Sequence, residues 1–236
     1  MPLQVAAYQL ASASDLDAAL RALQAADPAA DVACFPECFL QGYLTDRDLA
    51  QHQALDLRLP QFDQLLDQLS TVRPMLVFGL IERDNAKLYN TAVVVHRGQL
   101  VGKYRKRNLL AGESLFTAGD SDPIFEVGGT TFGINICFDL QFPESAASLV
   151  RQGASLLLCP CNNMMRRATA EKYKYLHHQL RRRLALENNL WIISSDVTGP
   201  PDAERICYGP TSAINPSGAV VAQVPLFTPD HLSIQI

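Results

Sequence analysis

The sequence predicts an α/β fold in which mixed sheets are covered by helices, and three features carry that reading. Short apolar runs of strand length alternate with amphipathic, helix-length stretches, the order expected of β-α-β units. Hairpins with tight turns, such as the one at Arg97-Gly98, are interspersed, so part of the pairing is antiparallel. No repeat, linker or low-complexity segment divides the 236 residues, which points to one domain over residues 1–236.

The first strand spans residues 3–8. Ser14 or Asp15 can cap a helix over residues 16–26, because a short polar side chain there accepts a hydrogen bond from a first-turn amide. Residues 31–35 form a short, continuously apolar strand that stops at Pro36-Glu37. Gly42-Tyr43 follow in a loop, and residues 44–59 carry no pattern that places them. Residues 59–69 are amphipathic and helical. A strand covers residues 75–80, with Glu82 just past its end. Residues 90–96 and 100–103 form the hairpin around Arg97-Gly98, and Lys106 lies just after it. Residues 116–124 read as a loop. A second hairpin joins residues 125–127 and 130–136 through Gly128-Gly129. There follow a helix over residues 144–153, a strand over 155–160, one long helix over 169–188 and a strand over 190–195. Beyond the Gly199-Pro200-Pro201 loop come a hairpin of residues 211–215 and 219–224 and a strand over 232–236.

Composition excludes several classes. Hydrophobic residues make up 48% and charged residues 19%, enough for a sizeable core rather than a disordered chain. Net charge is −4, and the basic runs 103–107 and 181–183 read as solvated faces, so no nucleic-acid partner is expected. The N-terminus reads as a strand rather than a signal peptide, and no apolar run has membrane-spanning length. A cytoplasmic location is expected, with the six cysteines as reduced thiols. Cys34 with Cys38, and Cys159 with Cys161, sit in apolar runs without a nearby His pair, a poor match to zinc, so no metal is expected. The usual fingerprints of dinucleotide, P-loop, zincin and serine-hydrolase chemistry do not appear.

The chain is organised around residues 133–144. Cys137 falls between a strand end and a helix that Pro143 and Glu144 are suited to open. There a cysteine is close to backbone N–H groups that can stabilise a thiolate or an oxyanion, although a buried, inert thiol fits the same position. Three further ionisable residues follow apolar strands or their loops: Glu37, Lys106 and Glu113. Each alone fits a cap or a surface charge. Together they supply base, cation and nucleophile, the requirements of acyl transfer from an amide.

Three motifs occur in order: Phe35-Pro36-Glu37 with Gly42-Tyr43; Tyr104-Arg105-Lys106 with Gly112-Glu113 and Phe116-Thr117-Ala118-Gly119-Asp120; and Ile136-Cys137-Phe138-Asp139 with Phe142-Pro143-Glu144. Leu186-Glu187-Asn188 and Asn215-Pro216-Ser217-Gly218 add to them. With these motifs the chain resembles the carbon-nitrogen hydrolase family, or nitrilase superfamily, in its amidase-like branch. The resemblance implies a four-layer α-β-β-α sandwich and a Glu-Lys-Cys triad. Glu37 would be the general base, Lys106 the stabiliser of the tetrahedral intermediate and Cys137 the nucleophile. Glu113 would position the lysine, and the N–H of Phe138 would complete the oxyanion hole. The implied reaction hydrolyses a small linear amide or carbamoyl compound through a thioester, with no cofactor. A nitrilase or a non-catalytic metabolite-binding relative are the rival readings.

Departures from the family pattern bear on the substrate. Gln141 stands where amidase branches often carry Arg, so a basic contact to substrate would be missing or supplied by Arg166 or Arg167. After Pro160, where many relatives carry Ala-Asn or Ala-Trp, this chain has Cys161-Asn162-Asn163-Met164, and Asn162 and Asn163, with Tyr43 and Gln141, are candidate pocket residues. A homodimer through helices near 144–153 and 170–188 is expected, as is a lowered pKa for Cys137 beside Lys106.

Overall fold

The computed structural model describes residues 2–12, 15–199 and 204–236. In chain order it contains β1 (Gln4–Leu10), α1 (Leu16–Gln24), β2 (Val32–Cys34), α2 (Arg47–Gln53), α3 (Pro60–Gln68), β3 (Met75–Asp84), β4 (Lys87–His96) and β5 (Gln99–Arg105). These are followed by β6 (Ile124–Val127), β7 (Thr130–Ile134), α4 (Pro143–Arg151), β8 (Leu156–Pro160), β9 (Met165–Arg166), α5 (Arg167–Tyr173) and α6 (Leu176–Asn188). β10 (Trp191–Val197), β11 (Arg205–Ile206), β12 (Ser212–Ile214), β13 (Val220–Gln223) and β14 (Asp230–Gln235) come last. Short 3-10 turns occupy Ala111–Glu113 and Cys137–Gln141.

Local chemistry sets the bounds. Asp15 caps α1 by accepting a hydrogen bond from the N–H of Ala18 at 2.7 Å, which satisfies a first-turn donor. Ser14, the alternative cap, lies outside the described residues, as do Pro200 and Pro201. α3 and α4 open on Pro60 and Pro143, where a missing N–H costs no helical bond. Arg97 and Gly98 both hold positive φ, 50° and 73°, the backbone that lets a two-residue turn match strand twist.

Apart from the antiparallel pair β9–β11, the strands hydrogen-bond in two sheets, β5-β4-β3-β2-β1-β14 and β6-β7-β8-β10-β12-β13. The sheets meet where β1 pairs with β10 at Gln9–Asp196 and Leu10–Val197. Alternation along each strand divides the apolar side chains between two layers. Val77 and Val94 point inward to Tyr104, Phe132, Ile134 and Leu158, forming the core between the sheets. Leu76, Phe78, Val93 and Val95 point outward to Leu23, Phe62, Leu65 and Leu69 of α1 and α3 and their flank. On the far side Leu157, Ile192 and Ile214 pack under Ala146, Leu149, Leu184 and Ala185 of α4 and α6. The architecture is therefore the four-layer α-β-β-α sandwich. Strands buried on both faces explain why the sequence shows continuous apolar runs; each fully buried Leu or Phe contributes about 1.5–3 kcal/mol.

Several expectations are corrected. β3 continues to Asp84, so Glu82 lies inside a strand. Its carboxylate is satisfied by Thr91, Lys103 and Arg105 of β4 and β5, which lets a charged residue extend the ladder. The single long helix is two, broken at Lys174-Tyr175. The segments pack on different partners: Ala170 of α5 on Ile206 and Tyr208, and α6 on the second sheet. Residues 44–59 contain α2, capped by Asp46, whose side chain accepts from the N–H of Leu49 at 2.8 Å. Among the described residues no helix is long and apolar enough to cross a membrane.

Candidate active site

The parallel strands β2, β7, β8 and β10 run the same way, and their C-terminal ends carry Glu37, Cys137, Asn163 and Asp196. Such ends are where α/β sheets gather functional side chains. Glu37 is set by a close crossing over β3. A Cβ at Gly79 would lie 2.3 Å from the Cys38 nitrogen, so only glycine fits. Gly79 N–H donates to the Pro36 carbonyl at 3.1 Å, and Glu37 N–H to the Cys161 carbonyl at 3.2 Å. Lys106 is held as firmly: its N–H donates to the Asn90 carbonyl, and its own carbonyl accepts from Gly119, both at 2.8 Å.

The Lys106 ammonium donates to Oε1 of Glu37 and Oε1 of Glu113, each at 2.7 Å. Asn90 Nδ2 donates to the same Glu37 oxygen at 2.7 Å and to Glu113 Oε1 at 3.4 Å. Glu113 Oε2 accepts from the Leu110 N–H at 2.7 Å. Glu37, Asn90, Lys106 and Glu113 are each 1% exposed. One cation between two carboxylates inside a protein is tolerated only with such hydrogen bonding. Glu37 Oε2 and Asn90 Oδ1 are the exceptions, buried with no partner among the described residues.

Burial pushes the Glu37 carboxyl up, and the Lys106 charge restrains the rise. Burial by itself would lower Lys106, but the negative charges of Glu37 and Glu113 outweigh it and hold the ammonium charged. Cys137 is corrected from the expectation. Its thiol is pushed well above the usual range by a hydrogen bond with Cys161, then by burial and by the charge on Glu37; Lys106 offsets this only in part. The resting nucleophile position therefore holds a neutral thiol.

Cys137 opens its 3-10 turn at φ 45°, a left-handed backbone that costs a non-glycine residue about 1–3 kcal/mol. Asp139 holds the turn. Its Oδ2 accepts from the Ile136 N–H at 3.0 Å and the Tyr104 hydroxyl at 2.8 Å, and its Oδ1 from Asn108 N–H at 2.8 Å and Asn108 Nδ2 at 2.9 Å. On the other side, Cys137 Sγ lies 3.8 Å from Asn163 Oδ1. Asn163 is oriented in turn by Asp196, which accepts from its N–H at 3.0 Å and from its side-chain amide.

Two cavities share Cys137. One, of about 270 Å³, is bordered by Phe138, Gln141 and Asn163; the other, of about 350 Å³, by Tyr43, Asn162, Asn163 and Arg166. The predicted pocket residues are thus divided, with Asn163 common to both. Asn90, Asp139 and Asp196 were not anticipated. Their signal is a polar residue at the edge of an apolar run: Asn90 before Ala92–Val95, and Asp196 after Ile192-Ile193.

The sandwich and this strand-end site define a cysteine-dependent hydrolase acting on carbon–nitrogen bonds. The chain belongs to the carbon-nitrogen hydrolase family, whose profile matches residues 4–236. It is 30% identical over 206 residues to a hydrolase of the pqqF 5′ region from Pseudomonas protegens, covering 85% of this chain and 69% of that protein. It is 28% identical over 211 residues to an (R)-stereoselective amidase from a Pseudomonas species, covering 89% and 74%. The structure of Nit3 from Saccharomyces cerevisiae, of branch 10 of the nitrilase superfamily, has a TM-score of 0.85 at 24% identity, covering 99% of this chain and 89% of that one.

Proposed function

We propose that the enzyme hydrolyses a small linear amide or carbamoyl compound through a thioester on Cys137. The observation that carries this is the buried, unpartnered Oε2 of Glu37, at the strand ends where Cys137 also lies. Its other oxygen is pinned by Lys106 and Asn90, so the one oxygen left is a base with a single task. Glu37 takes the thiol proton as Cys137 Sγ attacks the carbonyl carbon. The oxyanion is held by the Lys106 ammonium and the N–H of Phe138, which lies in the first turn of a 3-10 helix where amide donors lack helical partners. Glu37 then gives its proton to the departing nitrogen, leaving the thioester. It next takes a proton from water, whose oxygen attacks the thioester carbon; the C–S bond breaks, the acid leaves and Glu37 returns the proton to Sγ, restoring the thiol. Glu113 keeps the lysine in place, and Tyr43, Gln141, Asn162 and Asn163 border the substrate. The name of the amidase relative supports amides as the substrate class.

The proposal extends to residues 1–236 acting as one catalytic domain, in the cytoplasm, as a homodimer. Six unpaired cysteines support a reducing compartment. The apolar side chains Leu186, on α6, and Val220 and Val221, on β13, are exposed and support association. The test is ammonia release from a panel of amides, carbamoyl amines and nitriles. Release from amides that falls at least about a hundredfold in Glu37→Gln supports the reading; turnover of nitriles alone contradicts it.

A further inference from the structure

The two cavities that meet at Cys137 differ in chemistry, and the difference assigns the two halves of the substrate. The smaller one is walled by Leu110, Phe138, Leu140, Met165, Tyr173 and Leu180. Among its described lining residues Arg181 alone carries a full charge at neutral pH, and that guanidinium is spoken for. It donates to the Pro210 carbonyl at 2.6 Å, to Ser212 Oγ at 3.3 Å and to Cys161 Sγ at 3.7 Å, and lies 4.0 Å from Asp196. His177 also lines this cavity; burial first, then the nearby charge of Arg181, push it down to about 3, so it is neutral. A carboxylate entering here would lose water and meet no cation free to pair with it.

The larger cavity lies towards the base. Tyr43 and Gly112 border it, and the Tyr43 hydroxyl is pushed up by burial and then by the charges of Glu37 and Glu113. The departing nitrogen takes its proton from Glu37, so it belongs on this side. The acyl group then falls in the smaller, more apolar cavity.

We propose that the substrate is an amide of an uncharged, apolar acyl group, an arylalkyl or branched alkyl chain, seated in the cavity under Leu180 and Met165. A dry cavity of about 150 Å³ holds benzene. In proportion, the 270 Å³ here accommodates about eleven non-hydrogen atoms. The inference rests on amide hydrolysis at Cys137, and the experiment separates the two claims.

Specificity constants for ammonia release are compared for butanamide, 3-phenylpropanamide and 4-carbamoylbutanoate, in the native enzyme and in Leu180→Trp, with thermal melts to confirm folding. The phenyl amide should exceed butanamide by about tenfold or more, and the carboxylate-bearing chain should fall about a hundredfold below the phenyl amide. Leu180→Trp, which fills the cavity, should lower the ratio of phenyl amide to butanamide by about tenfold. A carboxylate-bearing chain that matches the phenyl amide while butanamide is cleaved overturns the inference and leaves amide hydrolysis standing. An unchanged ratio in folded Leu180→Trp also overturns it. If that variant does not fold, the comparison in the native enzyme decides by the same criteria. No ammonia from any of the three amides overturns the hydrolysis reading and the inference with it.

Discussion

Replacing Asp139 by alanine should both destabilise the protein and disable its nucleophile. The carboxylate is buried and accepts four hydrogen bonds, from the Ile136 and Asn108 backbone, the Asn108 side chain and the Tyr104 hydroxyl. It ties three segments together: the end of β5, the loop after Lys106 and the strained turn at Cys137. In the alanine variant the Asn108 side chain and the tyrosine hydroxyl can turn elsewhere, but the two backbone N–H groups stay where the fold puts them. Each of the two unsatisfied donors costs about 1–3 kcal/mol, so the total is about 2–6 kcal/mol. That is a large share of the about 5–15 kcal/mol by which domains are stable. For a chain of this size the midpoint of thermal unfolding should fall by about 4–24 °C. Asp139→Asn retains one acceptor oxygen and should lie between. Denaturant titration and calorimetry read the change. A loss below about 1 kcal/mol in Asp139→Ala would show that the turn holds itself and that the four bonds are incidental.

Lys106→Met should lower turnover at least about a hundredfold and cost about 3–5 kcal/mol, because Glu37 and Glu113 remain buried without their cation; a variant of native stability would contradict the second half. Asp196, buried, is pushed up to about 6 by desolvation, with Arg181 opposing. An acid with a raised folded-state value stabilises the fold below the unfolded value near 3.8 and loses that contribution as pH rises through 6. Relative to Asp196→Asn, the native protein should therefore lose about 2–3 kcal/mol between pH 4 and pH 7, measured by denaturant titration at each pH. The neutral Cys137 thiol should react with iodoacetamide more slowly than free cysteine at pH 7 and accelerate above pH 9, followed by mass spectrometry; faster labelling at pH 7 would mean a thiolate at rest.

The layers were legible in the sequence because strands buried on both faces leave continuous apolar runs and tight turns leave Gly pairs, as at Gly128-Gly129. Glu37, Lys106, Glu113 and Cys137 were legible because each follows such a run. What did not show was support assembled from distant chain positions. Asn90 reaches Glu37 across 53 residues of sequence, and Asp139 reaches Asn108 across 31, contacts that no local pattern encodes. The Cys137 shift runs against the sequence expectation for the same reason: Lys106 stands out in the sequence, whereas Cys161 beside the thiol is brought there only by the pairing of β7 and β8. The break between α5 and α6 was hidden because both halves are helix-forming and only their different packing partners separate them.

The central claim is that the substrate's acyl group passes onto Cys137. Acid quenching during turnover of a cleaved amide, followed by intact mass measurement and peptide mapping, tests it directly. The account predicts a mass increase equal to the acyl group less one hydrogen, located on Cys137 and lost in Cys137→Ala together with ammonia release. An acyl group on any other residue, or ammonia release from Cys137→Ala at the native rate, would contradict it.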